Sequence, residues 1–195
     1  MNEPSAATLR LGERAGLSDD IAFLRPHYPR GGWRGHANFG QLADFWLQVH
    51  ASLRKEGGDV TRVVDAFRDR QLDGDQFQRA FVSRFNGFLH HLDQHHRIED
   101  EAYFPKLRAL DERMGIGFDL LEADHALIHE RLVATVGHAR GMLNALSSPP
   151  DAMRRAADAY AADADVLLDL LLKHLADEEE LVIPAMLQHG ERPLS

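Results

Sequence analysis

Two histidine–carboxylate pairs in this sequence share one pattern. His95-x3-Glu99 is followed by Asp100-Glu101 and Pro105, and His174-x3-Glu178 by Glu179-Glu180 and Pro184, so a proline stands ten residues after the histidine in both. That match is an internal repeat, and it fixes the register of one segment on the other. On an α-helix, positions i and i+4 lie about 40° apart and one turn along, so each pair aims its two side chains at one point. A chelating pair needs that geometry. His125-x3-His129 offers the same spacing with two imidazoles, and His50 stands alone.

Each of these residues interrupts an apolar stripe. Phe81, Phe85, Phe88 and Leu92 lead into His95, Glu99 and Ala102; Leu167 and Leu171 lead into His174, Glu178, Leu181 and Ala185. Phe118, Leu121, Ile128, Leu132 and Val136 accompany His125 and His129, and Phe39, Ala43, Trp46 and Leu53 accompany His50. A single histidine on such a stripe is more often a hydrogen-bonded core residue than a ligand. Seven matched residues on four helices reverse that balance. Burying five imidazoles and two carboxylates among apolar side chains costs several kcal/mol unless each is paired or binds a metal, roughly 2–7 kcal/mol for every unsatisfied polar group. Five nitrogens and two bridging carboxylates leave two octahedral ions short of full coordination, with room for a bridging hydroxide or oxide and one open site.

Other readings compete locally. His96 and Asp100 form a rival i, i+4 pair beside His95 and Glu99, although the proline register, with Lys173 at the equivalent of Gln94, favours His95. Asp100, Glu101, Glu179 and Glu180 read as a solvated acidic face. His90 and His91 read as shoulder residues, His138 and His189 lie too far along their helices, and His27 and His36 belong to the arm side. Phe81, Phe85 and Phe88 read most simply as core, and Tyr103 as ordinary packing.

The elements that must position these groups are helices. Apolar residues recur at three- and four-residue spacing nearly everywhere, without a clear alternating run, so the class is all-α. Residues 1–36, with Pro26, Pro29 and Gly31-Gly32, read as an irregular N-terminal arm with one helical turn at Ser18 to Leu24, packed through Phe23, Tyr28 and Trp33. The first helix runs from about Ala37 to Lys55 and stops at Gly57-Gly58; a short helix follows from Val60 to about Gln71. Asp73-Gly74-Asp75 supplies a turn and an N-cap for a long helix reaching at least Tyr103, with Pro105 kinking or ending it. A third spans about Phe118 to Leu146 and a last about Asp151 to Leu187, after Pro149-Pro150. The expected architecture over residues 37–190 is an up-down-up-down four-helix bundle with a short extra helix between the first and second bundle helices, and 191–195 form a C-terminal tail.

The 195 residues carry 31 acids against 22 bases, a net charge of −9, which opposes nucleic acid and anionic membrane surfaces. No cysteine is present, so disulfides, thiolate zinc sites and iron–sulfur ligation are excluded and any metal is held by nitrogen and oxygen. The greasiest stretch, Val166 to Leu172, is short and interrupted by Asp169, and no leader is visible from Met1 to Asp20; the expectation is a cytoplasmic protein without membrane or nucleic-acid partners.

The ligand pattern over about Phe39 to Gln188 resembles the hemerythrin-like, histidine–histidine–glutamate (HHE) cation-binding domain. That resemblance implies a non-haem di-iron centre, oxo- or hydroxo-bridged, in which His125, His129 and His174 hold one iron and His50 and His95 hold the other, five-coordinate one, where dioxygen binds, with Glu99 and Glu178 bridging. Oxygen-carrying members place the last carboxylate five residues after its histidine, as aspartate. Here the face of His174 is shared by Glu178 at i+4, while Glu179 at i+5 lies about 140° round the helix; the spacing looks more like that of bacterial and regulatory members. The resemblance implies binding or sensing of dioxygen or a related small diatomic or peroxide ligand. The alternatives are a di-iron enzyme acting on peroxide or nitric oxide, or an iron donor for repair of iron–sulfur centres. Manganese and zinc suit the same donors.

Overall fold

In the computed structural model, which describes residues 9–194, the chain forms α1 (Gln41–Arg68), α2 (Gly74–Ile98), α3 (Phe104–Arg108), α4 (Gly115–Asn144) and α5 (Pro150–His189), with no strand among the described residues. The all-helical class follows from the periodicity of the apolar positions. No helix among the described residues is long and apolar enough to cross a membrane.

The short extra helix expected between the first two long helices is absent: α1 runs unbroken through Gly57 and Gly58 to Arg68. Glycine there serves close packing instead of ending the helix. A Cβ on Gly57 would lie 2.6 Å from Leu168 Cδ2 and 3.7 Å from Phe88. The true end of α1 carries Arg70 in the left-handed region at φ 60°, a non-glycine placement with no sequence signature. By contrast, the start of α2 follows its local chemistry. The Asp73 carboxylate accepts from the Gln76 N–H at 2.8 Å, and the Gln76 side chain accepts from the Asp73 N–H at 3.1 Å, a reciprocal cap.

Between α2 and α3 the helix widens into one π-helical turn, Glu99–Tyr103, in which the Phe104 N–H reaches the Glu99 carbonyl. Pro105 explains it. A proline offers no N–H and its ring collides with the carbonyl four residues back in a regular α-helix, so the widened turn lets the chain pass and Pro105 opens α3. The widening also turns Ala102, read from the stripe as inward, out to solvent, and Phe104 takes the buried position.

The chain divides into two compact units. The first comprises the chain through Ala51 with His95–Ala126 and the stretch from Leu170 on. Its core joins Leu17, Ile21 and Trp33, which precede α1, to Trp46, Phe104, Phe118 and Leu121. The arm residues 1–8 and the tail residue 195 lie outside the described residues. Residues 181–187 of α5 are buried on every face. The second unit, Ser52–Gln94 with Leu127–Asp169, is built on a ladder of stacked rings: Phe67 on Phe77 at 4.1 Å, Phe77 on Phe81 at 5.2 Å and Phe81 on Phe85 at 5.0 Å, with Tyr160 edge-on to Phe81 at 5.1 Å. These phenylalanines are core.

Candidate metal centre

Four helical segments of the first unit converge on one polar interior. α1 supplies Trp46 and His50, the end of α2 and the π turn supply His95, His96 and Glu99, α4 supplies Asp124 and His125, and α5 supplies His174, Asp177, Glu178 and Glu179. All are buried; His50, His174, Glu178 and Glu179 are fully enclosed, at 0% exposure. Two donor groups stand out, His50–His95–Glu99–Glu178 and His96–His125–His174, in each of which one ligand atom per residue lies within 4.8 Å of all the others.

Each carboxylate of the first group also faces the second. Glu178 Oε1 lies 3.2 Å from His50 Nε2, and its Oε2 lies 3.3 Å from His174 Nε2. Glu99 Oε1 lies 3.1 Å from His95 Nδ1 and 4.0 Å from His50 Nε2, while its Oε2 is 3.6 Å from His125 Nε2. His125 and His174 point their Nε2 atoms at each other across 3.0 Å. The His96 ring lies flat on that of His125, with centroids 3.9 Å apart.

Three imidazoles are held from behind by carboxylates. His50 Nδ1 is 3.0 Å from Glu179 Oε1, His125 Nδ1 is 2.8 Å from Asp100 Oδ1, and His174 Nδ1 is 3.4 Å from Asp124 Oδ2. A carboxylate at Nδ1 places the proton there and leaves the Nε2 lone pair facing inward. The Trp46 indole N–H donates to Glu178 Oε1 at 2.5 Å. What remains is a set of buried atoms with no hydrogen bond: His50, His95 and His96 Nε2, both oxygens of Glu99, and Glu178 Oε2. Orphaned donors of this number, converging from several helices, are the chemistry of a cation site, and the nitrogen and oxygen set fits a first-row divalent ion.

The charges are arranged to match. Burial opposes protonation of His50, but Glu178, Glu179 and Glu99 outweigh it and raise its pKa well above the ordinary value. His174 is likewise raised by Asp124 and Glu178 against its burial. Burial drives His95 down to about 3, with the neighbouring imidazoles adding to it, and His96 falls well below its ordinary value for the same reasons. Burial and the adjacent Glu178 charge push Glu99 well up, whereas Glu178, despite its burial, is held well down by His50 and His174.

Six of the seven sequence-derived residues are brought together: His50, His95, Glu99, His125, His174 and Glu178. His129 is not; it is exposed. The buried positions of α4 near the site are Leu121, Asp124, His125 and Ile128, and the stripe continues through Thr135, Ala139 and Met142. It thus steps from His125 by three to Ile128, and i+4 falls on the shoulder. His96 joins His125 and His174 instead, and its rival-pair partner Asp100, its side chain 40% exposed, stands behind His125. Glu179, read as solvated, is fully buried at His50. Asp124 was legible as a polar residue on an apolar stripe, and Trp46 as one turn before His50; nothing local marks Arg14, whose guanidinium reaches Asp124 and Asp177.

Comparison with known families gives one match. The family described as Hemerythrin HHE cation binding domain aligns with residues 41–186. No curated protein and no solved structure matches the chain.

Proposed function

Because the chain belongs to the hemerythrin HHE cation-binding family, we propose that it is a non-haem di-iron protein that binds or senses dioxygen or a related small ligand. The observation that carries this reading is the pair of donor groups with two carboxylates facing both. On this reading His50 and His95 would hold one ion, His125, His174 and His96 would hold the other, and Glu99 and Glu178, which face both groups, would serve the two. Two ferrous ions held there would supply the redox equivalents for reversible binding of dioxygen. The reading includes an up-down-up-down course for α1, α2, α4 and α5, which their short connections support, and a bundle over residues 37–190 with residues 1–36 as its arm.

The chain's own groups prepare the site. Glu179, Asp100 and Asp124 hold a proton on Nδ1 of His50, His125 and His174, so that Nε2 is the atom each would turn to a metal. Trp46 commits one lone pair of Glu178 Oε1 and so orients that carboxylate. Phe104, stacked 5.4 Å from His125, and Trp46, 6.3 Å from His50, keep bulk water away. Glu178 at i+4 belongs to the donor group, and Glu179 at i+5 stands behind His50. That register supports a sensing role over dedicated carriage. Anaerobic reduction followed by air exposure, with metal analysis and a visible spectrum on the same sample, tests the reading. Two irons per chain and an absorption band that appears with oxygen and fades on its removal are expected; a folded chain with one ion or fewer overturns it.

A further inference from the structure

Two arginines that precede α1 reach the centre, each through one carboxylate. Arg14 is almost fully buried, at 6% exposure. Its Nη1 donates to Asp124 Oδ1 at 2.9 Å, its Nη2 to Asp124 Oδ2, and its Nε to Asp177 Oδ2 at 2.7 Å. Asp124 Oδ2 faces His174 Nδ1 at 3.4 Å. Arg30 repeats the arrangement on the other donor group. Its Nη2 donates to Glu179 Oε2, while Glu179 Oε1 faces His50 Nδ1 at 3.0 Å. The Arg30 side chain is 59% exposed and its partner only 1%. It lies 5.0 Å over the Trp33 ring, which is itself fixed by its indole N–H donating to the Tyr28 carbonyl at 2.8 Å.

A buried ion network is poor evidence of stabilisation, because desolvation offsets most of the attraction. What a guanidinium fork does supply is orientation: two N–H groups on one carboxylate fix its plane. Arg14 grips Asp124 with such a fork, and Arg30 holds Glu179 through one N–H; both carboxylates end on a histidine of the centre, and the two histidines belong to different donor groups. A third arginine in the same region serves as the built-in contrast. Arg25 donates to Glu180 at 2.5 Å, as close a tether to α5, yet Glu180 does not go on, as Glu179 and Asp124 do, to a histidine of either donor group.

We propose that the segment before α1 is part of the metal centre, with Arg14 and Arg30 as positioning residues that set His174 and His50 through Asp124 and Glu179. Loss of Arg30 then loosens the ion on His50, and loss of the Arg14 fork loosens the ion on His174. The identity of the ions as two irons rests on the reading above; the positioning does not.

The test uses the full chain loaded with iron-57. Metal content is measured first, then the rate of release to excess chelator, together with Mössbauer spectra that resolve the two iron environments. Arg30→Ala is expected to release one ion about tenfold or more faster, in the range of roughly 10–100-fold seen when the groups behind a metal ligand are removed, with one quadrupole doublet shifted. Arg30→Lys, which keeps a charge on Glu179, is expected to fall between the two. Arg14→Lys, which keeps the charge and loses the fork, should shift the other doublet. Arg25→Ala should match the unsubstituted chain. Release from Arg30→Ala at the Arg25→Ala rate overturns the proposal, as does equal acceleration by Arg25→Ala, which would make the segment a mere cover. Should Arg14→Lys fail to fold, the exposed Arg30 still decides the matter. Fewer than two ions in the unsubstituted chain overturns the di-iron reading alone, and the release rates of the bound ion then judge the positioning.

Discussion

The segments His95 to Pro105 and His174 to Pro184 are copies by spacing and opposites in structure. The first widens into a π turn, and its proline is exposed at the start of α3; the second stays helical through a buried proline inside α5. Glu99, with no hydrogen bond to either oxygen, is driven toward its neutral form, while Glu178, with the Trp46 indole and two imidazoles around it, is held as an anion. Following the histidine, the first copy has a second donor, His96, and the second has Leu175, also buried. Equal spacing therefore sets equal reach, and the surroundings decide which carboxylate carries charge.

The strongest challenge to this asymmetry is to neutralise each carboxylate in the metal-free chain. Glu178→Gln strips His50 and His174 of their counter-charge and should cost about 3–5 kcal/mol, the usual effect of breaking a buried pair. Glu99→Gln mimics the neutral acid and should cost under about 1 kcal/mol on the same basis. Denaturant unfolding of the two variants measures the difference, and equal losses would erase the distinction.

His96→Leu gives the first copy the second copy's residue. It should weaken one ion by more than about hundredfold, exceeding the effect of losing a group behind a ligand, while His129→Ala leaves both ions bound. Competition with a chelator of known affinity reads both. Chelation itself should lower stability by about 2.7 kcal/mol relative to protein held at a hundredfold excess of metal over Kd. Amide exchange should then rise in Glu99–Tyr103 before it rises in residues 174–184, since the π turn has fewer buried neighbours to hold it.

The pH dependence follows from the directions of the shifts. His50 and His174 sit above their ordinary value in the metal-free fold, so they favour that fold below about pH 6.5 and cease to do so as pH rises through their raised values. His95, lowered to about 3, acts oppositely: its contribution is present above about pH 6.5 and is lost as pH falls toward 3. A metal must displace the protons of His50, His174 and Glu99 and none from His95. Affinity should therefore rise with pH, up to the raised values of these groups, by up to about 1.4 kcal/mol per pH unit for each proton released. Calorimetry in buffers of different ionisation enthalpy counts those protons. Glu179→Ala, which removes the group through which Arg30 acts, should cost roughly 10–100-fold in the affinity of one ion with both ions retained at saturating metal, against depletion of both by Glu178→Ala. Metal counts showing the reverse would return the register to i+5.

The carboxylates and most of the imidazoles were legible because each replaces an apolar residue at a helical interval. His129 was misplaced because the α4 stripe steps alternately by four and three, so the same i+4 spacing that works in α2 and α5 slides off the buried face. Gly57-Gly58 misled for another reason: a missing side chain signals a helix end and a tight contact alike, and only the position of Leu168 separates them. Glu179 was hidden because α5 is already buried on more than one face at its level, with His174, Leu175, Asp177 and Glu178 all covered, which removes the one-sided stripe that periodicity needs. Arg14 and Arg30 lie far in sequence from the groups they orient, and no local pattern carries such information.

The first turn of α1 is closed by a residue from the far side of the sequence. The Glu191 carboxylate accepts from the N–H groups of Gly40 at 3.0 Å, Leu42 at 3.1 Å and Ala43 at 2.9 Å, the last across 148 residues. During synthesis on the ribosome, the turn leading to Trp46 and His50 must wait for Glu191 to emerge before its amides find their acceptor. At about 5–20 residues per second that delay is on the order of ten seconds. A nascent chain halted before Glu191 should leave this helix start frayed and the first histidine of the centre unanchored, so assembly of the site is a late event in the life of the chain.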